Sequence, residues 1–300
     1  ACLSSILNTN YQNVEVIFVD NGSKDGSADF VKLKFGDCPF IRVVENRKNL
    51  GYTCMNGNIR KYAHGEVIIF LDADTVVDPK GMVELVEALS KDRTIGSAQA
   101  RLLLPNQKTI DGIGDSIDYF GRGIVKAQGE EDKEQYSDGG EIFSARGAAL
   151  AVKREVFDRV KGVDERFFIH YWDVDLGWRI RLAGYKVVLA PRAIVYHNLH
   201  QATSKLPPSF KLFHSSKNRL LMMIKNYERK NLIKYAWVPV FELIASAFLD
   251  VVKLRRNFTA TKIYVLLWSL RNLRYIWLKR LEVQRTIRRV PDENVMCHMV

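Results

Sequence analysis

Cysteine and long apolar runs are both scarce in this sequence, and each shortage argues against a class of protein. The 300 residues contain four cysteines, whose spacing fits neither a zinc site nor a disulfide framework; this favours a reducing compartment. The longest apolar run, 236–252, is interrupted by Pro239, Glu242 and Asp250, so it is short and polar for a membrane span. No recognised nucleic-acid-binding module accompanies the net charge of +11, so we expect no nucleic acid partner.

The positive charge is concentrated in the last third of the chain. Residues 205–289 hold 19 Lys and Arg against 4 Asp and Glu, whereas the rest of the chain holds 26 against 30. We therefore predict two parts with different partners, a globular domain over 1–204 and basic amphipathic helices over 205–300. Aromatic residues among the basic ones at 263–281 indicate peripheral attachment to an anionic membrane surface, on the cytoplasmic face. A helical subdomain packed on the core, or a protein-binding surface, is the alternative.

Strands and helices alternate through the first two hundred residues. Strands are predicted at 14–20, 67–71 and 95–104, and helices at 28–33 and 80–90. This alternation predicts an α/β fold with a mostly parallel sheet flanked by helices. Residues 106–140 lack periodicity, so we expect a mobile loop or lid there. The chain opens in a helical pattern with no strand before it, so we expect the first strand of the sheet to be missing.

Two carboxylates follow the apolar strand 67–71. Asp72 and Asp74 are separated by one residue, and ligands of open α/β sheets bind at the carboxyl ends of the strands. Two acids so close resist joint ionisation unless a cation compensates them. Their hard oxygen atoms suit Mg²⁺ or Mn²⁺, which would in turn hold phosphate. The alternative is a pair of acids that caps a turn before the helix at Pro79.

Four motifs in a fixed order connect this acid pair to a known family. They are Asp20-Asn21-Gly22-Ser23 through Ser27, Asn49-x-Gly51 with Asn56, Asp72-Ala73-Asp74, and Asp164-Glu165-Arg166-Phe167-Phe168 through Asp173-Val174-Asp175. With these motifs, residues 1–204 resemble family 2 glycosyltransferases of the GT-A fold, and the rhamnosyltransferase-like branch in particular. Lys217-Asn218-Arg219 is similar to the C-terminal extension of that family.

The resemblance implies a nucleotide-sugar donor, carrying UDP, dTDP or GDP, and a divalent metal ion. The residues it assigns to the nucleotide sugar are Asp20, Asn21, Asn49, Gly51, Asn56, Asp72 and Arg179. Asp20 would accept a hydrogen bond from the base, and the backbone at Asn49 and Gly51 would approach the nucleotide. The metal ligands it implies are Asp72, Asp74 and His197. The alternatives are a turn-forming role for Asp20 and a structural role for His197.

The resemblance also implies that Asp173 is the general base. Asp175 is instead expected to cap a helix that begins at Leu176, with Arg179 as its ion-pair partner. Relatives usually have Glu before the base, whereas this chain has Trp172. We expect the Trp172 indole to lie in the acceptor pocket, where it could stack on the apolar face of a sugar.

Together these residues predict a metal-dependent, inverting glycosyltransferase at the cytoplasmic face of a membrane. The acceptor would be a hydroxyl group of a lipid-linked molecule or a polysaccharide. Two alternatives stay open at this point. One is a nucleotidyltransferase, which also uses paired acids and a cation. The other is a non-catalytic, membrane-associated scaffold that retains the fold.

Overall fold

The computed structural model describes residues 1–198 and 206–300. The strands are β1 (Val16–Asp20), β2 (Ile41–Glu45), β3 (Val67–Leu71), β4 (Thr75–Val77), β5 (Ile95–Leu103), β6 (Ile110–Gly112), β7 (Asp115–Ile117), β8 (Gly123–Val125), β9 (Gly140–Glu141), β10 (Ala149–Lys153) and β11 (Lys186–His197). The helices are α1 (Cys2–Leu7), α2 (Ser27–Phe35), α3 (Met55–Tyr62), α4 (Gly81–Ser90), α5 (Arg154–Arg159), α6 (Trp172–Leu182), α7 (Pro208–Asn226), α8 (Arg229–Tyr235), α9 (Trp237–Val252), α10 (Arg256–Arg271), α11 (Leu273–Glu282) and α12 (Glu293–Met296). The predicted domain boundary at 204/205 lies outside the described residues and stays a prediction.

The central sheet is mixed, so the α/β class is confirmed but the mostly parallel sheet is a wrong prediction. Its strands lie in the order β3-β10-β5-β11-β4, with β6 beside β5 and β9 beside β11. β10 runs antiparallel to both of its neighbours, whereas β5 and β11 run parallel. β3, β5 and β11 thus point the same way, but β10 enters the sheet between two of them in the opposite direction. β1 and β2 form a separate parallel pair.

Strand β3 is covered on both faces, and the two acids follow its carboxyl end. Ile68 and Phe70 belong to one hydrophobic core, and Ile69 and Leu71 pack against the other. Alternate side chains of a strand point to opposite faces, so β3 is covered on both sides, as its uninterrupted apolar sequence predicts. Asp72 comes at the first position beyond this covered strand.

The predicted mobile lid at 106–140 is wrong, because the segment contains β6, β7 and β8 and contributes to the core. Ile110, Ile113 and Ile117 are each at most 1% exposed. β6 pairs with β5, and β7 pairs with β8. These strands are three residues long and are separated by glycines and charged residues. Such short strands show no periodicity in the sequence, and they are stabilised by pairing and burial instead.

The C-terminal helices pack onto the α/β layer through α6. Residues 174–182 of α6 are all buried, so this part of the helix has no face exposed to solvent. The Trp178 ring makes edge-to-face contacts with Phe143, just after β9, and with Tyr227, at the end of α7. The predicted helical C-terminal region is thus continuous with the main core among the described residues.

Helices α9, α10 and α11 expose a broad apolar surface to solvent. The exposed side chains include Trp237, Phe241, Ile244, Phe248, Leu249, Ile263, Tyr264, Leu267, Leu270 and Trp277. The helical stretch Arg229–Val252 is long and apolar enough to cross a membrane by length and composition, and 17% of its apolar window is buried. It is longer than the apolar run that the sequence predicts, because α8 and α9 are continuous. We call the exposed face of α9–α11 the apolar surface.

Candidate active site

The three predicted metal ligands lie close together: Asp72 and Asp74 lie between β3 and β4, and His197 is the last residue of β11. One ligand atom each from Asp72, Asp74 and His197 lies within 4.8 Å of the other two. β4 pairs with β11 so that Thr75 lies opposite His197, and this register sets the imidazole beside the acid pair. His197 Nε2 is 3.4 Å from Asp74 Oδ1. Two carboxylates and an imidazole form a donor set that fits Mn²⁺ or Mg²⁺.

His197 is oriented by an acid that the sequence analysis does not identify. Its Nδ1 lies 2.7 Å from Asp111 Oδ2, which leaves Nε2 as the nitrogen that faces Asp74. A ligand histidine whose second nitrogen is held by a carboxylate is the usual arrangement at metal sites. Burial alone would lower the pKa of His197, but the hydrogen bonds that its ring donates to the carboxylates of Asp111 and Asp74 outweigh this effect and raise that pKa to about 9.

Asp72 is held by a tyrosine from the turn before α3. The Tyr52 hydroxyl donates to Asp72 Oδ1 at 2.8 Å. Burial raises the pKa of Asp72, and the hydrogen bond from Tyr52 opposes this shift. The second acid of the pair, Asp74, adds to it through charge repulsion. Two acids this close resist joint ionisation unless a cation compensates their charges.

Helix α6 begins earlier than the sequence predicts. The expected start at Leu176, with Asp175 as the cap, is wrong: the helix starts at Trp172, after two residues of positive φ, His170 and Tyr171. Asp173 therefore lies in the first turn of the helix. Its Oδ2 accepts a hydrogen bond from the Gly147 amide at 2.9 Å. A carboxylate at this position is stabilised by the helix dipole.

A cleft of about 630 Å³ joins Asp173 to the metal-ligand cluster. Its lining residues come from the acid pair, from the segment 115–125, from the turn before β10 and from the start of α6. They include Tyr52, Asp72, Asp74, Asp115, Gly123, Arg146, Gly147, His170, Trp172, Asp173, His197 and Ser215. Among these lining residues, four carboxylates (Asp72, Asp74, Asp115 and Asp173) lie in one cleft with one arginine, Arg146.

Trp172 lines this cleft but has no free face for a sugar, so the predicted stacking on substrate is wrong. Its side chain is 3% exposed, and its ring stacks on Tyr52 with the centroids 4.5 Å apart. A Cβ atom at residue 147 would clash with the indole, so Gly147 is required there. Trp172 therefore supports Tyr52, which holds Asp72.

A second, smaller cavity of about 310 Å³ lies at the end of β1. Asp20, Gly22, Ser23, Glu45 and Asn46 contribute to its lining. The Asp20 side chain is buried, and its Oδ2 accepts hydrogen bonds from the amides of Gly22 and Ser23 at 3.0 Å. The turn-forming role is therefore present, and the carboxyl also borders a cavity.

Asn21 lies next to this cavity and joins two turns. Its Oδ1 accepts from Asn46 Nδ2 at 2.8 Å, and its amide donates to the Gly51 carbonyl at 3.3 Å. The Asn21 side chain therefore ties the loop after β2 to the turn before α3. It lines neither cavity.

Three other residues predicted to contact the nucleotide make contacts within the fold. Asn49 Oδ1 accepts from the Gly51 amide at 2.8 Å and forms a local turn. Gly51, with a φ of +56°, allows a close approach to the Phe168 carbonyl rather than to a cavity. Asn56 exchanges two hydrogen bonds with the backbone of Val163, so its amide is used within the fold. These residues line neither cavity.

Arg179 does not reach either cavity, so its predicted contact with the diphosphate is wrong. Its guanidinium is buried and pairs with Asp175 at 2.8 Å, and Nη1 also donates to the carbonyls of Val160 and Gly162. Asp175 is completely buried and is shared with Lys225 at 2.9 Å. The predicted ion pair is therefore present, but it belongs to the core.

The sequence analysis misses Tyr52, Asp111, Asp115 and Arg146. The two acids lie in the run Asp111-Gly112-Ile113-Gly114-Asp115, where the glycines interrupt the alternation of apolar and polar residues that would predict a strand. The isoleucine between those glycines is a sign of burial, and a buried segment with two acids is itself a sign of a functional site. Tyr52 and Arg146 have no distinctive sequence pattern.

The family model of Glycosyl transferase family 2 matches residues 1–160, which include β1, the acid pair and β10. The chain belongs to Glycosyl transferase family 2. That the chain belongs to the rhamnosyltransferase-like branch of this family stays a prediction.

This family 2 chain is similar to two longer bacterial proteins. It is 29% identical over 222 residues to "Uncharacterized protein y4gI" of Sinorhizobium fredii, a match that covers 68% of this chain and 23% of that protein. It is 26% identical over 204 residues to the poly-beta-1,6-N-acetyl-D-glucosamine synthase of Staphylococcus epidermidis, covering 65% of this chain and 45% of the synthase. The chain thus spans less than half the length of either relative.

Two solved structures confirm the GT-A fold of this family 2 chain. GalNAc-T7, solved with UDP, GalNAc and Mn²⁺, superposes with a TM-score of 0.58 at 17% identity, over 77% of this chain and 45% of that one. The mannosyltransferase PcManGT from Pyrobaculum calidifontis, in complex with GDP-Man and Mn²⁺, gives 0.52 at 16% identity, over 90% and 81%. At these identities the likeness concerns the fold.

Proposed function

We propose that the chain is a metal-dependent, inverting glycosyltransferase that moves a sugar from a nucleoside diphosphate to a hydroxyl group. The observation that carries this proposal is the single cleft with Asp72, Asp74 and His197 at one end and Asp173 at the other. The three ligands would hold Mn²⁺ or Mg²⁺, which supplies charge compensation for the departing diphosphate. UDP in one structural neighbour and GDP-Man in the other support a nucleotide-sugar donor.

In this proposal Asp173 takes the proton from the acceptor hydroxyl. As that oxygen attacks the anomeric carbon, the bond from this carbon to the diphosphate breaks on the opposite face, so the configuration inverts. One displacement requires one general base, and the first turn of α6 presents Asp173 to the cleft.

Asp20 borders the smaller cavity and is our candidate for contact with the nucleobase of the donor. A polysaccharide or lipid-linked acceptor is supported by the similarity to a poly-beta-1,6-N-acetyl-D-glucosamine synthase.

The first prediction concerns Asp74. Asp74→Ala removes one of three ligands, so it should weaken the binding of a nucleoside diphosphate in the presence of Mn²⁺ by about 10–100-fold. Calorimetric titration with UDP, dTDP and GDP, with MnCl₂ and with EDTA, measures this effect. Asp78→Ala, four residues further on in the turn before α4, is the matched control. Undiminished affinity in Asp74→Ala would remove this residue from the metal site, and no nucleotide binding by the wild type would overturn the proposed function.

We also propose that the apolar surface of α9–α11 docks on the anionic cytoplasmic face of a membrane. A soluble monomer rarely exposes so many large apolar side chains together. Exposed basic residues lie among them, namely Lys253, Arg255, Arg256, Arg271 and Arg274. Basic residues beside an apolar helical face favour contact with anionic lipid headgroups.

The second prediction tests this docking with phosphatidylglycerol vesicles. Each basic residue near the lipid contributes about 1 kcal/mol, so replacing Lys253, Arg255 and Arg256 together by Gln should weaken partitioning about 100-fold at low salt. Cosedimentation measures the partitioning, and added salt should reduce it for the wild type. Point variants are used because deletion of residues 205–300 would remove Lys225, which pairs with buried Asp164 and Asp175.

The matched control for the vesicle experiment replaces three exposed basic residues elsewhere. Arg47, Lys48 and Lys61 lie near β2 and α3. Their joint replacement by Gln changes the net charge equally and should leave partitioning within about threefold, since only charges near the lipid contribute strongly. Equal losses in both triple variants would show that total charge, rather than the apolar surface, governs attachment.

A further inference from the structure

One carboxyl group in the cleft, that of Asp115, has no role in the reaction described above. The Asp115 backbone exchanges hydrogen bonds with Ser144 in both directions, at 2.9 and 3.0 Å, so its position is fixed. Its Oδ1 is buried and has no hydrogen-bond partner within residues 1–198 and 206–300. A buried polar atom that lacks a partner typically costs about 1–3 kcal/mol, and a bound ligand can remove that cost.

Arg146 is the cation next to Asp115, but its hydrogen bonds go elsewhere. Arg146 Nε is 3.5 Å from Asp115 Oδ1, whereas Nη1 donates to the Asp111 carbonyl at 3.1 Å and lies 3.3 Å from Asp111 Oδ2. The other charged or titratable groups that act on Asp115 are Asp173, Asp111 and the Tyr171 hydroxyl. The Asp115 oxygen is thus close to a positive charge without being hydrogen-bonded to it.

Ser144 is hydrogen-bonded to the backbone of both Asp115 and Asp173. Its backbone pairs with Asp115, and its hydroxyl donates to the Asp173 carbonyl at 2.9 Å. Both acids line the same cleft. A substrate that presents one hydroxyl to Asp173 therefore has a second hydrogen-bonding group beside it, on a strand that is tied to the same serine.

We propose that Asp115 determines acceptor specificity by hydrogen-bonding a second hydroxyl of the acceptor, next to the hydroxyl that Asp173 deprotonates. This inference rests on the proposed function. It identifies the acceptor as a sugar or another polyol with two neighbouring hydroxyls, as opposed to a molecule with an isolated hydroxyl group. A site built to bond a hydroxyl rejects analogues that lack it, because its own polar group is then left unpaired.

The protonation state of Asp115 provides a specific readout. Burial raises the pKa of Asp115 to about 8; Arg146 opposes this shift, and the charges of Asp173 and Asp111 add to it. At neutral pH the group is therefore an uncharged acid, which can donate through its hydroxyl and accept through its carbonyl oxygen. Asparagine keeps both abilities but does not titrate, so Asp115→Asn separates hydrogen bonding from charge.

The experiment is a calorimetric titration with octyl β-glucoside, octyl β-galactoside, octyl α-mannoside and octyl N-acetyl-β-glucosaminide. Each is tested with MnCl₂ and the nucleoside diphosphate that binds best. For the tightest-binding glycoside, Asp115→Ala should raise Kd about 10–100-fold at pH 7, whereas Asp115→Asn should stay within about threefold. Around pH 8, where Asp115 titrates, the wild-type Kd should change with pH, whereas the Asp115→Asn Kd should stay constant. Asp138→Ala, an exposed acid of the same segment, is the control.

Each other outcome contradicts the inference. Asp115→Ala that binds every glycoside as tightly as the wild type would overturn it, and so would identical pH curves for the wild type and Asp115→Asn. Binding of the nucleoside diphosphate with Mn²⁺ by a wild type that binds none of the glycosides would overturn it as well. Loss of nucleotide binding by the wild type would instead overturn the proposed function, so the two failures are distinguishable. Thermal midpoints of the three variants verify that they are folded.

Discussion

Asp173→Asn is expected to reduce the rate of sugar transfer by about 10²–10⁴, the usual contribution of a general base. The asparagine side chain cannot take a proton, but its oxygen can still accept the Gly147 amide, which bonds Asp173 Oδ2 at 2.9 Å. The affinity for nucleoside diphosphate and the thermal midpoint should therefore remain close to those of the wild type. Transfer from radiolabelled nucleotide sugars to acceptors in a membrane extract measures the rate.

The other cleft acid is the informative comparison for Asp173. Asp115→Asn, measured beside Asp173→Asn, should retain most of the turnover at saturating acceptor, because the amide still bonds a hydroxyl. Turnover that survives in Asp173→Asn and disappears in Asp115→Asn would assign the base to Asp115. Loss of nucleotide affinity in Asp173→Asn would mean that this residue acts in donor binding instead.

Asp175→Ala should destabilise the protein by about 3–5 kcal/mol, the typical cost of removing one partner of a buried ion pair. Asp175 is fully buried and accepts from Arg179 Nε at 2.9 Å and from Asn226 Nδ2 at 3.0 Å, with Lys225 Nζ also 2.9 Å away. Its loss leaves two buried cations with less compensation. In a chain of this size the thermal midpoint should fall by about 10 °C, as scanning calorimetry would show.

The control for Asp175→Ala is Asp138→Ala, since Asp138 is exposed. A surface substitution of this kind typically changes the free energy of unfolding by less than about 0.5 kcal/mol. If Asp175→Ala kept the wild-type midpoint and lost turnover, Asp175 would belong to the reaction and not to the core. The two acids of α6 thus have different expected effects: Asp173→Asn should lower the transfer rate, and Asp175→Ala should lower the thermal midpoint.

Much of the candidate site could be predicted because its signals are local. Asp72 and Asp74 follow a run of five apolar residues, and a covered strand that ends in acids can be recognised from a dozen positions. The order of the four motifs identified the family, and the basic C-terminal third was evident from charge alone. Each of these features depends on neighbours in the sequence or on composition.

The start of α6 shows where local signals are overridden. Asp175 directly before Leu176 has the pattern of a helix cap, but the helix begins at Trp172. Asn218 in α7 donates to the carbonyls of Ile169 and His170 at 2.7 and 2.8 Å, and this contact satisfies the strained turn before the helix. Residues almost fifty positions apart are therefore in contact at the start of α6, and no local pattern in the sequence records this contact.

The sequence by itself determined the family, the acid pair at the end of β3 and the basic helices, because these follow from residue order and short-range periodicity. Only the tertiary structure decided which polar residues share a cleft. His197 contacts Asp111 across 86 positions, and Arg179 is turned into the core by Asp175 and two carbonyl groups. Pairing of short strands and burial of charges depend on partners distant in the chain, and no local pattern records which partners those are.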